Sequence, residues 1–202
     1  MTTSPPMALG LDPLACALLI VVAFTGAGLA HAIWLWSTMS ARFAIPVDGY
    51  ATVRGRRLFG DNKTWRGLLV MVPAAGAAFF ALGALRPALP VWFADGTWAF
   101  SPTAYGLLGL WAGFGFMAGE LPNSFLKRQL LIAPGTAPVA GWAKPLAFAL
   151  DRLDSILGMM LALSILVPMP LPTWGYVLLV GPAIHFLFSA LLYALGVKAR
   201  SA

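Results

Sequence analysis

Residues Gly119–Ser155 read GELPNSFLKRQLLIAPGTAPVAGWAKPLAFALDRLDS. In a chain otherwise built of Leu, Ala, Gly and Phe, this stretch gathers Glu120, Asn123, Ser124, Lys127, Arg128, Asp151, Arg152, Asp154 and Ser155. Apolar runs flank it on both sides. A charged side chain at membrane depth is costly, so acids and bases placed where helices meet the interface are candidate site residues. One other block is comparable, LFGDNKTWRG at Leu58–Gly67. The two blocks read as halves of one anionic-ligand site at a membrane surface.

Composition excludes a soluble domain: 60% of the 202 residues are hydrophobic and only 10% are charged. The apolar runs are long enough for bilayer spans, which need about 20 residues. The length suits one small helical bundle, a single membrane domain over residues 1–202. The net charge of +6 bears on topology and anionic ligands, and no nucleic-acid module is recognisable. Cys16 is the only cysteine, so it has no disulfide partner within the chain and reads as a packing residue. The leading MTTSPPMALGLDPL lacks Lys and Arg, so the first apolar run is expected to be a retained span, not a cleaved signal.

The pattern predicts an all-α integral membrane protein with five transmembrane helices, at about 14–37, 68–85, 103–119, 145–167 and 174–197. Pro145 is a favourable first helical residue, Pro122 is expected to kink or restart the helix leaving the third span, and Pro182 is a candidate kink in the fifth. Polar blocks 38–67 and 120–152 carry nearly all the loop cations, from Arg42, Arg54, Arg56, Arg57, Lys63 and Arg66 to Lys127, Arg128, Lys144 and Arg152; Lys198 and Arg200 follow in the tail. Arg86 is the one exception. The positive-inside rule then places both blocks and the C-terminus in the cytoplasm and the N-terminus outside, in a multi-pass protein of the cell membrane. The small-xxx-small pairs Gly109/Gly113 and Gly115/Gly119 predict close helix packing.

Three constellations carry chemistry. In Gly60-Asp61-Asn62-Lys63-Thr64-Trp65-Arg66-Gly67, glycines bracket Lys63 and Arg66, a combination suited to phosphate oxygens; an interfacial anchor accounts for the composition about as well. It is not a Walker A loop. Asp151 and Asp154 are i, i+3 on one helical face, where like charges repel unless a cation bridges them. Paired carboxylates beside phosphate suit Mg²⁺, and Glu120 is a third candidate ligand. Asn123/Lys127 and Ser124/Arg128, both i, i+4, form two neighbouring columns of donors. Together these are the parts of a phosphoryl-type transfer site, in which positioning and charge neutralisation dominate. His31 and His185 read as helix-packing residues.

LFGDNKTWRG, the Ser124–Arg128 segment SFLKR followed by Pro134-Gly135, and DRLDS together resemble the CDP-archaeol synthase family of integral-membrane CTP:lipid-phosphate cytidylyltransferases, which is distantly similar to phosphatidate cytidylyltransferases. The resemblance covers most of the chain. It implies transfer of the cytidylyl group of CTP to a lipid phosphate with loss of pyrophosphate, assisted by Mg²⁺, with an unsaturated archaeal ether-lipid phosphate as acceptor. Where the pattern has Gly-Asp before SFLKR, this chain has Gly119-Glu120 followed by Leu-Pro-Asn, and its Ala-, Leu-, Trp- and Arg-rich composition leaves a phosphatidate-like acceptor open as well.

On this reading Lys63, Arg66, Lys127 and Arg128 neutralise phosphates, and Asp151, Asp154 and Glu120 hold the metal. Gly60, Asp61, Asn62, Lys63, Thr64, Asn123 and Ser124 contact the nucleotide. The expected partners are CTP, a membrane lipid phosphate, bilayer lipids and, as an option, a second copy of the chain. The rival is a non-catalytic protein that binds or moves an anionic lipid or metabolite; it would need the cations but not the acid pair. The topology is tested by cysteine-accessibility labelling in a Cys16→Ala background. Positions 56 and 136 are expected to resist an impermeant reagent applied to intact cells, and ready labelling at either overturns the orientation.

Overall fold

The computed structural model describes residues 10–133, 141, 143–194 and 196, the side chains of 143–148 excepted. Pro134, Gly135, Thr136, Trp142, Lys198, Arg200 and the side chain of Lys144 thus lie outside the described residues. Nearly all the rest is helix: α1 (Pro13–Trp36), α2 (Trp65–Leu85), α3 (Val91–Gly96), α4 (Pro102–Gln129), α5 (Ala143–Leu166) and α6 (Leu171–Ala194). Local chemistry sets the starts. Asp12 caps α1 by accepting the Ala15 N–H at 2.8 Å, with Pro13 first in the helix. Ser101 caps α4 in the same way, at 3.2 Å from Ala104 N.

α1, α2 and α6 are long and apolar enough to cross a bilayer. α4 and α5 match them in length, at 28 and 24 residues, but concentrate the charged residues at one end. Two expectations from the sequence differ. α4 runs through Pro122 without interruption and continues ten residues beyond the predicted end at Gly119. Proline costs the helix one hydrogen bond, and α4 stays helical across it beside the close contact of Gly119 with Gly158 of α5. Pro145 is the third residue of α5, not the first. Short α3, within the 87–102 loop, left no periodic signal in six residues.

The five long helices close a ring in which neighbours pack in the order α1, α2, α4, α5, α6 and back to α1. Cys16, Ile20, Phe79, Tyr105, Ala112, Met160, Leu163 and Val177 fill its middle. At one end the polar backbone is sealed by side chains: Tyr105 OH donates to Trp98 O (2.6 Å), Trp98 Nε1 to Pro168 O (3.0 Å) and Thr173 Oγ1 to Pro13 O (3.0 Å). The other end carries the polar blocks.

Glycine sets how closely α4 approaches both neighbours. A Cβ on Gly113 would sit 3.0 Å from Val72 Cα and 3.1 Å from Met71 O on α2. On the other face, a Cβ on Gly119 would lie 2.8 Å from Gly158 Cα, and one on Gly158 would lie 2.9 Å from Gly119 N. Backbone thus touches backbone where α4 crosses α5, as the spacing predicted. Gly158→Ala is expected to destabilise the protein by about 1–3 kcal/mol, because the obstacle is main chain and cannot rotate away. Gly175→Ala in α6 meets nothing within 4 Å and is expected to be neutral or stabilising by up to about 1 kcal/mol. Thermal unfolding of the two variants in detergent checks the contrast; equal melting temperatures overturn it.

Candidate active site

The segment between α1 and α2 builds one wall of the site. After a 3-10 turn (Thr38–Phe43), strands β1 (Thr52–Val53) and β2 (Arg56–Arg57) pair antiparallel. Arg54 and Gly55 between them both have positive φ, 52° and 74°, as a type I′ turn requires. The segment is closed at its neck, where Val47 N donates to Lys63 O (2.8 Å) and Trp65 N to Ile45 O (2.9 Å). Trp34 Nε1 of α1 donates to Arg66 O (3.1 Å) and ties the two helix ends together.

Asp48 organises the interior of this loop. Its carboxylate is sealed from solvent and accepts N–H groups from Tyr50, Phe59 and Gly60 at 3.1, 3.0 and 3.2 Å. Arg57 binds it through two nitrogens, at 2.8 and 3.3 Å. Burial pushes the Asp48 pKa up, but the Arg57 guanidinium and the three N–H donors outweigh it and hold it down to about 2. Sequence reasoning missed Asp48; the Asp48-Gly49 turn pair was the available signal, and Gly49 does adopt φ 52°.

This loop docks on the end of α4. Arg56 donates to Gln129 O, Gln129 Nε2 to Arg57 O (3.4 Å) and Arg128 Nη1 to Phe59 O (3.4 Å). Buried Gly60, at φ 87°, makes the turn that brings the chain back towards α2. Lys63 then reaches α4 and forms an ion pair with Glu120. Burial pulls the Lys63 pKa down, but Glu120, aided by Asp154 and Asp151, outweighs it and holds the ammonium above the ordinary lysine range.

From Glu120 the network continues onto α5. Ser155 Oγ, fully buried, donates to Glu120 Oε1 (2.8 Å) and lies 3.2 Å from Asp154 Oδ1, which also accepts the Ser155 N–H at 2.7 Å. Asn123 Nδ2 donates to both acids of the pair, at 2.7 Å to Asp151 Oδ1 and 2.8 Å to Asp154 Oδ2. Lys127, one turn beyond Asn123, pairs with the same Asp151 oxygen. Seven side chains from the loop, α4 and α5 therefore form one connected cluster: Lys63, Glu120, Ser155, Asp154, Asn123, Asp151 and Lys127.

Other expected site residues stand apart from it. Asp61 is exposed and bonded to Arg57 at 2.8 Å; Asn62 is exposed; Thr64 occupies the cap position of α2 without a side-chain capping bond. Arg66 is in the first turn of α2. Ser124 is buried in α4. Arg152 is buried with its guanidinium over the Phe186 ring of α6, 5.6 Å from its centroid.

The donor set fits a hard divalent cation. Among the described residues no three Asp, Glu, His or Cys are gathered as a ready-made metal cluster. Glu120 is engaged by Lys63, and Asp151 by Lys127. Among the described residues, the hydrogen-bond donors to Asp154, by contrast, are neutral: the Asn123 amide and the Ser155 N–H. A half-buried carboxylate that no cation among the described residues bonds, three residues from a second carboxylate, is where a metal completing its shell with water and phosphate would add charge.

Apolar helices around a half-buried cluster of acids and lysines give the chain the character of a helical, multi-pass membrane protein. The CarS-like family model, CDP-archaeol synthase, matches residues 43–201, a span that holds every residue of the cluster. The CDP-archaeol synthase of Halobacterium salinarum is 38% identical over 159 residues, covering 76% of this chain and 81% of the relative. That of Methanosphaerula palustris is 32% identical over 161 residues (76% and 87%), and that of Pyrobaculum arsenaticum 31% over 154 (76% and 79%). No solved structure is significantly similar. The chain belongs to the CDP-archaeol synthase family.

Because Asp48 has a lowered pKa, its contribution to loop order is fully present above the unfolded value of about 4 and is lost as pH falls towards about 2. Amide-exchange protection of Phe59 and Gly60 is expected to decline across that window. Asp48→Asn is expected to lack the protection at neutral pH with helix content unchanged; full protection in this variant overturns the assignment.

Proposed function

We propose that the cluster of Lys63, Glu120, Asn123, Lys127, Asp151, Asp154 and Ser155 is the active site of this chain's family reaction. The chain is a cytidylyltransferase, a nucleotidyltransferase that uses CTP to make a CDP-lipid from a lipid phosphate. The names of its relatives favour an archaeol-type ether-lipid phosphate over a phosphatidate-like acceptor. All five long helices span the bilayer, the cluster faces the cytoplasm where CTP is found, and the lipid tails stay between helices. The clustering of loop cations at that end supports the orientation.

A phosphate oxygen of the acceptor attacks the α-phosphorus of CTP. The bond from that phosphorus to the bridging oxygen breaks, and pyrophosphate leaves with the electron pair. No protein nucleophile is required, since the acceptor phosphate is already an anionic oxygen nucleophile. The work of the chain is to hold two polyanions together. Lys63 and Lys127, paired with Glu120 and Asp151, have side chains long enough to turn towards phosphate oxygens without leaving the site. In this proposal Arg128, next to Lys127 on α4, and Arg66, in the first turn of α2, add positive charge from outside the cluster. Asp151 and Asp154 would hold the divalent cation, Mg²⁺ in this proposal, with Glu120 as a further candidate ligand. When bound, the cation offsets triphosphate charge and polarises the α-phosphorus.

The observation that carries this reading is Asp154, a half-buried carboxylate three residues from Asp151 whose donors among the described residues are neutral. Asp154→Asn keeps the shape and removes a charged ligand. CTP turnover is expected to fall by about two orders of magnitude or more, with partial rescue by high Mg²⁺ or by Mn²⁺. Thermal stability without metal is expected to hold, because a repulsion with Asp151 is relieved. Near-normal turnover in this variant would sink the metal assignment. Arg128→Ala is expected to lower kcat/KM for CTP by roughly ten- to hundredfold, the effect of losing one charge-assisted contact worth about 1.5–3 kcal/mol. Lys63→Ala is a poorer probe, since it also strands Glu120 as an unpaired, mostly buried charge.

A further inference from the structure

We infer that Asn123 is a positioning residue for the acid pair, its one amide nitrogen holding Asp151 and Asp154 at a fixed separation and facing for the divalent cation. The inference rests on the reading of those two acids as the metal pair. It assigns Asn123 to the acids and not to the nucleotide, which is where the sequence alone would have put it.

The geometry is specific. An amide NH₂ group has two hydrogens that diverge in one plane, so two acceptors bonded to it are held at a set angle. Here the acceptors are Asp151 Oδ1 at 2.7 Å and Asp154 Oδ2 at 2.8 Å, from different residues of the same helix face. The donor is on α4 and both acceptors are on α5, so the bridge fixes the acids against an independent element. That element has little freedom. Gly119, one turn before Asn123, lies against Gly158, one turn after Asp154, with main chain touching main chain.

The charge of the donor matters as much as its shape. Lys127 bonds the same Asp151 oxygen but neutralises it, and so competes with any cation for the pair. A neutral amide relieves the repulsion of two carboxylates at i, i+3 without spending their charge. It can therefore stay in place when the cation arrives. Outer-shell hydrogen bonds of this kind orient metal ligands, and their loss commonly weakens metal binding by about 10–100-fold.

The test measures Mn²⁺ binding directly, by electron paramagnetic resonance of the purified full-length protein with a non-reacting CTP analogue. Asn123→Leu removes both donors at nearly constant volume; Asn123→Gln keeps them one methylene further out. The leucine variant is expected to bind Mn²⁺ about 10–100-fold more weakly, and the glutamine variant to recover part of that loss. Analogue affinity at saturating Mn²⁺ is expected to be unchanged in both. Wild-type Mn²⁺ affinity in Asn123→Leu overturns the inference, as does lost analogue affinity at saturating Mn²⁺, which would make Asn123 a nucleotide ligand. Should the leucine variant fail to fold, Asn123→Ser supplies the same comparison with one shorter donor. Asp154→Asn separates the two levels of the argument. If it loses Mn²⁺ while Asn123→Leu keeps it, only the positioning role falls; if both keep it, the acid pair is not the metal site.

Discussion

The crossing of α4 and α5 at Gly119 and Gly158 is the constraint on which the site depends. Side chains of three residues from each helix must meet within hydrogen-bond distance: Glu120, Asn123 and Lys127 from one, Asp151, Asp154 and Ser155 from the other. Main chain meets main chain at the two glycines, one turn from the acids, so the short side chains of Asn123, Asp151 and Asp154 face one another across a tight crossing. The same helix uses Gly109 and Gly113 against α2, so α4 is fixed on both flanks and presents its polar end as a rigid edge.

Around that edge, electrostatics rather than apolar burial selects the arrangement. Three half-buried carboxylates would repel one another and pull water in. Lys63 and Lys127 pair with two of them, while the hydrogen bonds to the third, Asp154, come from neutral donors among the described residues, with Lys63 acting on it only at longer range. Lys63 arrives from outside the bundle, so its placement depends on the loop. That loop is shaped by Asp48, whose carboxylate replaces the hydrogen bonds that three backbone N–H groups and Arg57 would otherwise make with water. A chain of short polar contacts thus runs from the loop interior, through α4, to the helix that carries the acid pair.

Much of this was legible in the sequence, and the reason is the strength of the signals. Apolar runs of twenty residues leave few choices of structure, so the positions of five long helices followed from Leu14, Leu68, Thr103, Pro145 and Trp174 onwards to within a few residues at most boundaries. The glycine spacing predicted close packing because nothing but a near neighbour explains so many absent side chains. Charges in an apolar chain are conspicuous, which is why the cluster's acids and lysines could be named. What could not be read was pairing across the fold. Nothing local says that Lys63 meets Glu120 and not Asp61, which lies two residues away and binds Arg57 instead. Nor does anything local say that Asn123 faces carboxylates. At Pro122 the sequence left a kink or a restart open, and the helix continues through it without a restart.

The built-in lysine partners also bear on how such a protein comes to exist. A membrane chain is laid down helix by helix, and α4 emerges before α5. A polar helix end stranded without company would be drawn back towards water. Here α4 already carries an acid, an amide and an ammonium group, and α5 brings the complementary acids. The two ends find partners in one another, Asn123 and Lys127 of α4 meeting Asp151 and Asp154 of α5. The groups that make burial of these polar ends tolerable are thus encoded in the chain itself, on two helices made in succession.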